Sequence, residues 1–257
     1  MKSNLLAEER LIVAADFHPK DHGGISGVKA RVLQLAHELE GLGVYIKINS
    51  VLRAIGYELI VQLHELDLKV FADLKLIDIP NTMAVDAAML AEVHPEIVTV
   101  MCNAGINGMH TVHEALQGKT KVLGVTVLTS LNEEDCQAIF TCSTRAGVLR
   151  FARMAQLAGL VGLILSPKEV DVVKDRFELS LELNTPGIRP EWSLIDDDDQ
   201  SKSRVLTPEL AIKNGAERIV IGRPIVQASP NEDGFPQSPR EAVKRTLEEI
   251  RAGLAES

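Results

Sequence analysis

Eight short, nearly continuous apolar runs recur along this 257-residue chain, and that recurrence constrains its fold more than any other feature. They are LIVAADF from Leu11, VYIKINS from Val44, KVFADLK from Lys69, IVTVMCN from Ile97, VLGVTVLTS from Val122, LILS from Leu163, LELNTPG from Leu181 and RIVIGR from Arg218. Runs with so little polar alternation suit parallel strands covered on both faces. Segments of helical period separate them, among them Val28–Leu39, Ala84–Leu90, Leu149–Leu157 and Leu210–Asn214. Helix starts are marked by Ser166-Pro167, Thr207-Pro208 and Ser238-Pro239, each a capping hydroxyl followed by proline at the first helical position. In the last of these helices Val243, Leu247, Ile250 and Leu254 form one stripe. The β-α alternation continues without linker or composition break, so the expectation is α/β class, a single (β/α)8 TIM barrel over residues 1–257. A doubly wound open sheet is the other arrangement such alternation allows, but no dinucleotide fingerprint follows the first run.

Composition narrows the function. Lys and Arg number 27 against 36 Asp and Glu, a formal charge of -9, and the pI is near 5.3. Nucleic-acid binders usually carry a basic face, so that class is disfavoured. An anionic ligand has to be held by a few local cations rather than by the overall field. Cys102, Cys136 and Cys142 have neither metal-ligand spacing nor the look of a disulfide framework. The first residues lack a signal-peptide apolar run, and no stretch is long and apolar enough to span a membrane. The expectation is a cytoplasmic protein.

Polar residues collect where the apolar runs end. The first ends at Asp16; the second carries Lys47 and Asn49; the third carries Asp73 and Lys75, with Asp78 just beyond. The later runs end at Asn103, Thr129-Ser130, Ser166, Thr185-Pro186-Gly187 and Gly222-Arg223. Ionisable groups in apolar strands are costly unless paired, and a barrel of this type keeps its active site at the C-terminal strand ends. The pattern therefore points to an enzyme. In FADLKLIDIPNT, Asp73 and Lys75 stand two apart and share a strand face. A lone Asp-x-Lys equally suits an ion pair plugging a barrel interior; Asp78, Asp16 and Lys47 close by favour chemistry. A lysine flanked by carboxylates is held in its charged form, as a proton donor rather than a Schiff-base nucleophile. Gly222-Arg223-Pro224 offers a cation at the end of the eighth run, the usual phosphate position of such barrels. The acidic run Asp196–Asp199 reads as a solvated loop, and His110 with His113 lacks a third ligand, so no metal site is expected.

With those residues assembled, the sequence resembles the orotidine 5′-phosphate decarboxylase family over nearly its whole length. ADLKLIDIPNT carries most of the likeness, joined by VTVLTS, TPGIRP and IGRPI. The resemblance implies Asp73, Lys75 and Asp78 as the catalytic charged set, with Lys75 as proton donor. It implies Asp16 and Lys47 at the ribose hydroxyls, Ser130 and Pro186 at the pyrimidine, and Gln200, Gly222 and Arg223 at the phosphate. Asp78 and Thr82 match residues delivered into a partner subunit's site, which implies a homodimer with shared sites. No cofactor is implied; the ligand is a small nucleotide, with no role for nucleic acid or membrane. Two positions depart from the pattern: Met101 stands where a His is frequent, and Asn49 where a Gly is common. The alternative on the same barrel is a Mg2+-dependent sugar-phosphate decarboxylase or hexulose-phosphate synthase.

Overall fold

The computed structural model describes residues 4–176, 181–193, 206–229 and 235–256. The elements begin with β1 (Leu11–Ala14), α1 (Ile25–Leu39), β2 (Tyr45–Ile48), α2 (Ser50–Ile55), α3 (Glu58–His64), β3 (Lys69–Leu76) and α4 (Pro80–Val93). They continue with β4 (Ile97–Met101), α5 (Ile106–Leu116), β5 (Lys121–Val125), α6 (Glu133–Phe140), α7 (Thr144–Leu157), β6 (Gly162–Ile164) and α8 (Val170–Arg176). Last come β7 (Glu182–Thr185), α9 (Pro208–Lys213), β8 (Arg218–Ile221), α10 (Arg223–Val226) and α11 (Pro239–Ala255). The strands form a closed barrel in the order β1-β2-β3-β4-β5-β6-β7-β8, so the expected (β/α)8 fold is the observed one. Among the described residues, no helix is long and apolar enough to cross a membrane.

The chain divides into two compact units, Met1–Ala72 with Gly187–Ser257, and Asp73–Pro186. In the first, β1 pairs in parallel with β2 and with β8, setting Ile12 beside Tyr45 and Leu11 beside Ile219. All four residues of β1, β2 and β8 are buried, each large apolar one removing enough surface from water to contribute about 1.5–3 kcal/mol. Its last helix starts as the sequence predicts: Ser238 Oγ accepts the Glu241 N–H, Pro239 opens α11, and Val243, Leu247 and Ile250 are buried. In the second unit β4, β5, β6 and β7 pair in parallel sequence order. Gly162 is required there, because a Cβ would come within 2.5 Å of the Glu182 carbonyl oxygen on β7.

Several runs end earlier than their apolar content suggests. The fifth stops at Val125; the N–H of Thr126 still completes the ladder to the Ile164 carbonyl at 3.1 Å, and its hydroxyl donates to the same oxygen at 3.0 Å. The chain then turns, Leu131 N–H donating to Leu128 O. Ser166 does not extend β6; it caps a helical turn over Pro167–Glu169, its backbone N–H returned to the Glu169 carboxylate. The fourth run ends at Met101, and Cys102–Ala104 form a helical turn. Only the end of the sixth run is marked by a cap, where the Ser166 side chain serves a helical turn instead of a strand.

Candidate functional site

In the first unit, β1 and β2 bring together the first and second predicted charges. Ala14 is in register with Lys47, and the next N–H, that of Ala15, donates to the Lys47 carbonyl at 2.9 Å. Asp16 therefore leaves the end of β1 beside the Lys47 side chain. The ammonium Nζ donates to both carboxylate oxygens, at 2.8 and 3.0 Å. The two partners differ in environment: the Lys47 side chain is 9% exposed, that of Asp16 54%. Asn49 caps α2 with φ −131° and accepts a bond from Arg53, so no glycine is needed at this position. At the end of β8, Gly222 is the residue before α10 and Arg223 its exposed first residue. Gly187 has φ +77° with open space where a Cβ would stand. That left-handed backbone favours glycine and turns the chain just after Pro186. Gln200 lies outside the described residues.

The second unit holds the sharpest geometry. Lys75 Nζ donates to Asp73 Oδ2 at 2.6 Å, while Asp73 Oδ1 accepts the Thr99 hydroxyl at 2.9 Å. The same Thr99 oxygen accepts the Lys75 backbone N–H, also at 2.9 Å. Asp73 is buried and Thr99 has no exposed surface, and each carboxylate oxygen has a protein donor. Lys75 itself has φ +52°, a left-handed conformation that for a side chain with a Cβ costs about 1–2 kcal/mol. A strained residue held by surrounding bonds is a mark of functional positions. Thr99 was not among the residues singled out from the sequence. Its signal was present, a polar residue in the middle of IVTVM, but nothing local tied it to a pair 24 to 26 positions earlier.

The other predicted residues sit at strand ends or in the loops beyond them. Asp78 is exposed and accepts the Ile79 N–H at 2.7 Å; Thr82 is half-buried on the first turn of α4. Burial raises the Asp86 carboxyl above its ordinary range, and the negative charge of Asp78 adds to the rise. Ser130 is exposed in the turn after β5, and Pro186 half-buried after β7. Met101, at the end of β4, is half-buried. Cys102 has no exposed surface and burial pushes its thiol up to about 12, which removes it as a nucleophile. His110 Nδ1 lies 3.2 Å from the Ala158 carbonyl oxygen. Among the described residues no group of three or more His, Cys, Asp or Glu could hold a metal ion.

Known proteins carry the same pattern. Residues 9–234 match the orotidine 5′-phosphate decarboxylase / HUMPS family. A relative from Streptococcus gordonii named orotidine 5′-phosphate decarboxylase is 38% identical over 234 residues, spanning 90% of this chain and 96% of its own. Another of that name, from Syntrophus aciditrophicus, is 36% identical over 266 residues, 98% of this chain and 97% of the relative. The crystal structure of orotidine 5′-phosphate decarboxylase from Lactobacillus acidophilus superposes with a TM-score of 0.74 at 28% identity, covering 95% of this chain and 100% of that one. A barrel with a strained Asp-Lys pair at the end of its third strand, matched along nearly its full length, places the chain in the orotidine 5′-phosphate decarboxylase / HUMPS family.

Proposed function

We propose that the chain, acting as one catalytic domain over residues 1–257, decarboxylates orotidine 5′-phosphate to uridine 5′-phosphate and CO2 in pyrimidine biosynthesis. The observation that carries this reading is the Asp73–Lys75 pair at 2.6 Å, its carboxylate buried and its ammonium partly exposed, in a chain whose near relatives bear that activity in their names. Loss of CO2 breaks the bond between C6 and its carboxylate and leaves the electron pair on C6. The Lys75 ammonium offers fixed positive charge where that pair develops and then gives its proton to form the C6–H bond. Asp73 lies beside the departing carboxylate and keeps the ammonium aimed. Asp16 and Lys47 bind the ribose hydroxyls, Ser130 and Pro186 border the base, and Gly222, Arg223 and Gln200 take the phosphate. Binding energy from the remote phosphate serves to orient the base.

A homodimer completes this reading, with Asp78 and Thr82 serving the partner's site. Ile77, Ile79, Val85 and Met89 support it: they are 53, 66, 49 and 56% exposed around the same loop and helix, an apolar surface of the kind that marks an interface. The three cysteines are free thiols, which suits a reducing compartment such as the cytoplasm. The test is the ultraviolet absorbance of orotidine 5′-phosphate with purified, EDTA-treated protein. Steady loss of substrate absorbance, with uridine 5′-phosphate as product, is expected. Activity that disappears with EDTA and returns with Mg2+ would instead favour the sugar-phosphate decarboxylase or hexulose-phosphate synthase reading.

A further inference from the structure

Thr99, Asp73 and Lys75 close a ring of three contacts. Thr99 donates to Asp73 Oδ1, Asp73 Oδ2 receives the Lys75 ammonium, and the Lys75 backbone N–H returns to the Thr99 oxygen. The direction of each bond is fixed by chemistry. An amide N–H can only donate, so the Thr99 oxygen must accept there, and its own hydrogen remains for the carboxylate. Lys75 is left-handed at φ +52°, and a buried N–H in such a residue needs a partner; the Thr99 hydroxyl is one. Thr99 is β-branched, so its χ1 is stiff, and it is fully buried in the middle of β4.

We propose that Thr99 is a positioning residue for proton delivery: one hydroxyl both holds the strained Lys75 backbone and turns Asp73, and so sets where the Lys75 ammonium stands. This rests on the decarboxylase reading given above. Without the hydroxyl, Lys75 loses the bond that holds it left-handed, Asp73 loses one orienting donor, and the ammonium shifts. Misplacement of a reacting group by about 1 Å lowers a rate by about 100-fold, while phosphate and ribose contacts elsewhere keep substrate affinity.

The experiment compares Thr99→Ser, Thr99→Cys and Thr99→Val. Ser keeps the donor and acceptor; Cys has a similar shape with a weak donor; Val keeps the branched shape without either. Turnover of orotidine 5′-phosphate is expected to fall by less than fivefold for Ser, at least tenfold below Ser for Cys, and about 100-fold for Val. KM and the inhibition constant of uridine 5′-phosphate stay within threefold throughout. Should Val fail to fold, the Ser–Cys comparison decides alone: equal kcat in those two variants overturns the proposal, as does a parallel loss of kcat and affinity. A second readout needs no turnover. The crystal structure of the Cys or Val variant is expected to show Lys75 returned to negative φ, or its ammonium displaced from Asp73. Lys75 still at φ near +52° with the 2.6 Å pair intact would overturn the positioning role. An inactive wild type would instead remove the decarboxylase reading and leave this structural outcome to be judged separately.

Discussion

The Asp16–Lys47 pair is asymmetric, so its two members should differ in what their loss costs the fold. Removing the charge of Asp16 weakens both of its bonds to an ammonium whose side chain is 9% exposed; removing the charge of Lys47 leaves a carboxylate that is 54% exposed and readily hydrated. Stripping one partner from a fully buried ion pair destabilises by about 3–5 kcal/mol. Because only one partner is buried here, and Asn keeps an oxygen near Nζ, Asp16→Asn should lose about 2 kcal/mol, a discounted fraction of that figure. Lys47→Met keeps the buried stem volume and gives Asp16 back to water, so its loss should stay below about 1 kcal/mol, as for an exposed pair. In a domain of this size about 2 kcal/mol lowers Tm by about 4–8 °C. Urea unfolding at pH 7.5, with unchanged m-values, measures both variants against wild type. Lys47→Met as costly as Asp16→Asn would refute the argument, because the buried member of the pair would then not decide the cost.

Three other outcomes are expected. Arg223→Ala should raise KM for orotidine 5′-phosphate by about 10- to 150-fold, the equivalent of about 1.5–3 kcal/mol for a charged hydrogen bond, and leave the phosphate-free nucleoside orotidine nearly unaffected; equal losses with both substrates would show that Arg223 does not bind phosphate. Burial pushes the Glu169 carboxyl up to about 7, opposed by the Ser166 N–H and aided by the charge of Glu133. The folded state therefore keeps a proton that the unfolded chain releases near pH 4.5, and stability falls as pH rises from about 4.5 to 7. Glu169→Gln, which keeps an acceptor for Ser166, should flatten that slope in urea titrations and be the more stable protein at pH 8; an unchanged slope would contradict it. Mixing inactive Lys75→Ala with inactive Asp78→Ala protein should restore about a quarter of wild-type activity, since random pairing makes about half of the dimers mixed with one intact site each. Mixed dimers seen by native mass spectrometry but without activity would place Asp78 in its own chain's site.

Much of this was legible in the sequence, for reasons that lie in particular residues. The buried strands announce themselves because a strand covered on both faces has no polar alternation, as in LIVA and RIVI. Asp16 with Lys47, and Asp73 with Lys75, were legible because charges at the ends of such runs need partners, and both pairs form. The ends of the runs were not: Ser166 leaves its run to cap a helical turn, and the fifth run turns away after Thr126 although its residues stay apolar. Thr99 and the left-handed Lys75 were hidden for the same reason. Strand residues separated by more than 20 positions meet only through register, and no local pattern marks a lysine that bends out of an extended run.

In the proposed reaction Lys75, aimed by Asp73, supplies both the charge and the proton for decarboxylation. Its most direct test is CO2 release from orotidine 5′-phosphate in EDTA by wild type and Lys75→Ala side by side, with uridine 5′-phosphate binding measured on both. Turnover by wild type, a loss of at least about 1000-fold in kcat for Lys75→Ala, and nucleotide affinity kept within tenfold are expected. A Lys75→Ala protein that still releases CO2 within tenfold of the wild-type rate would contradict that role.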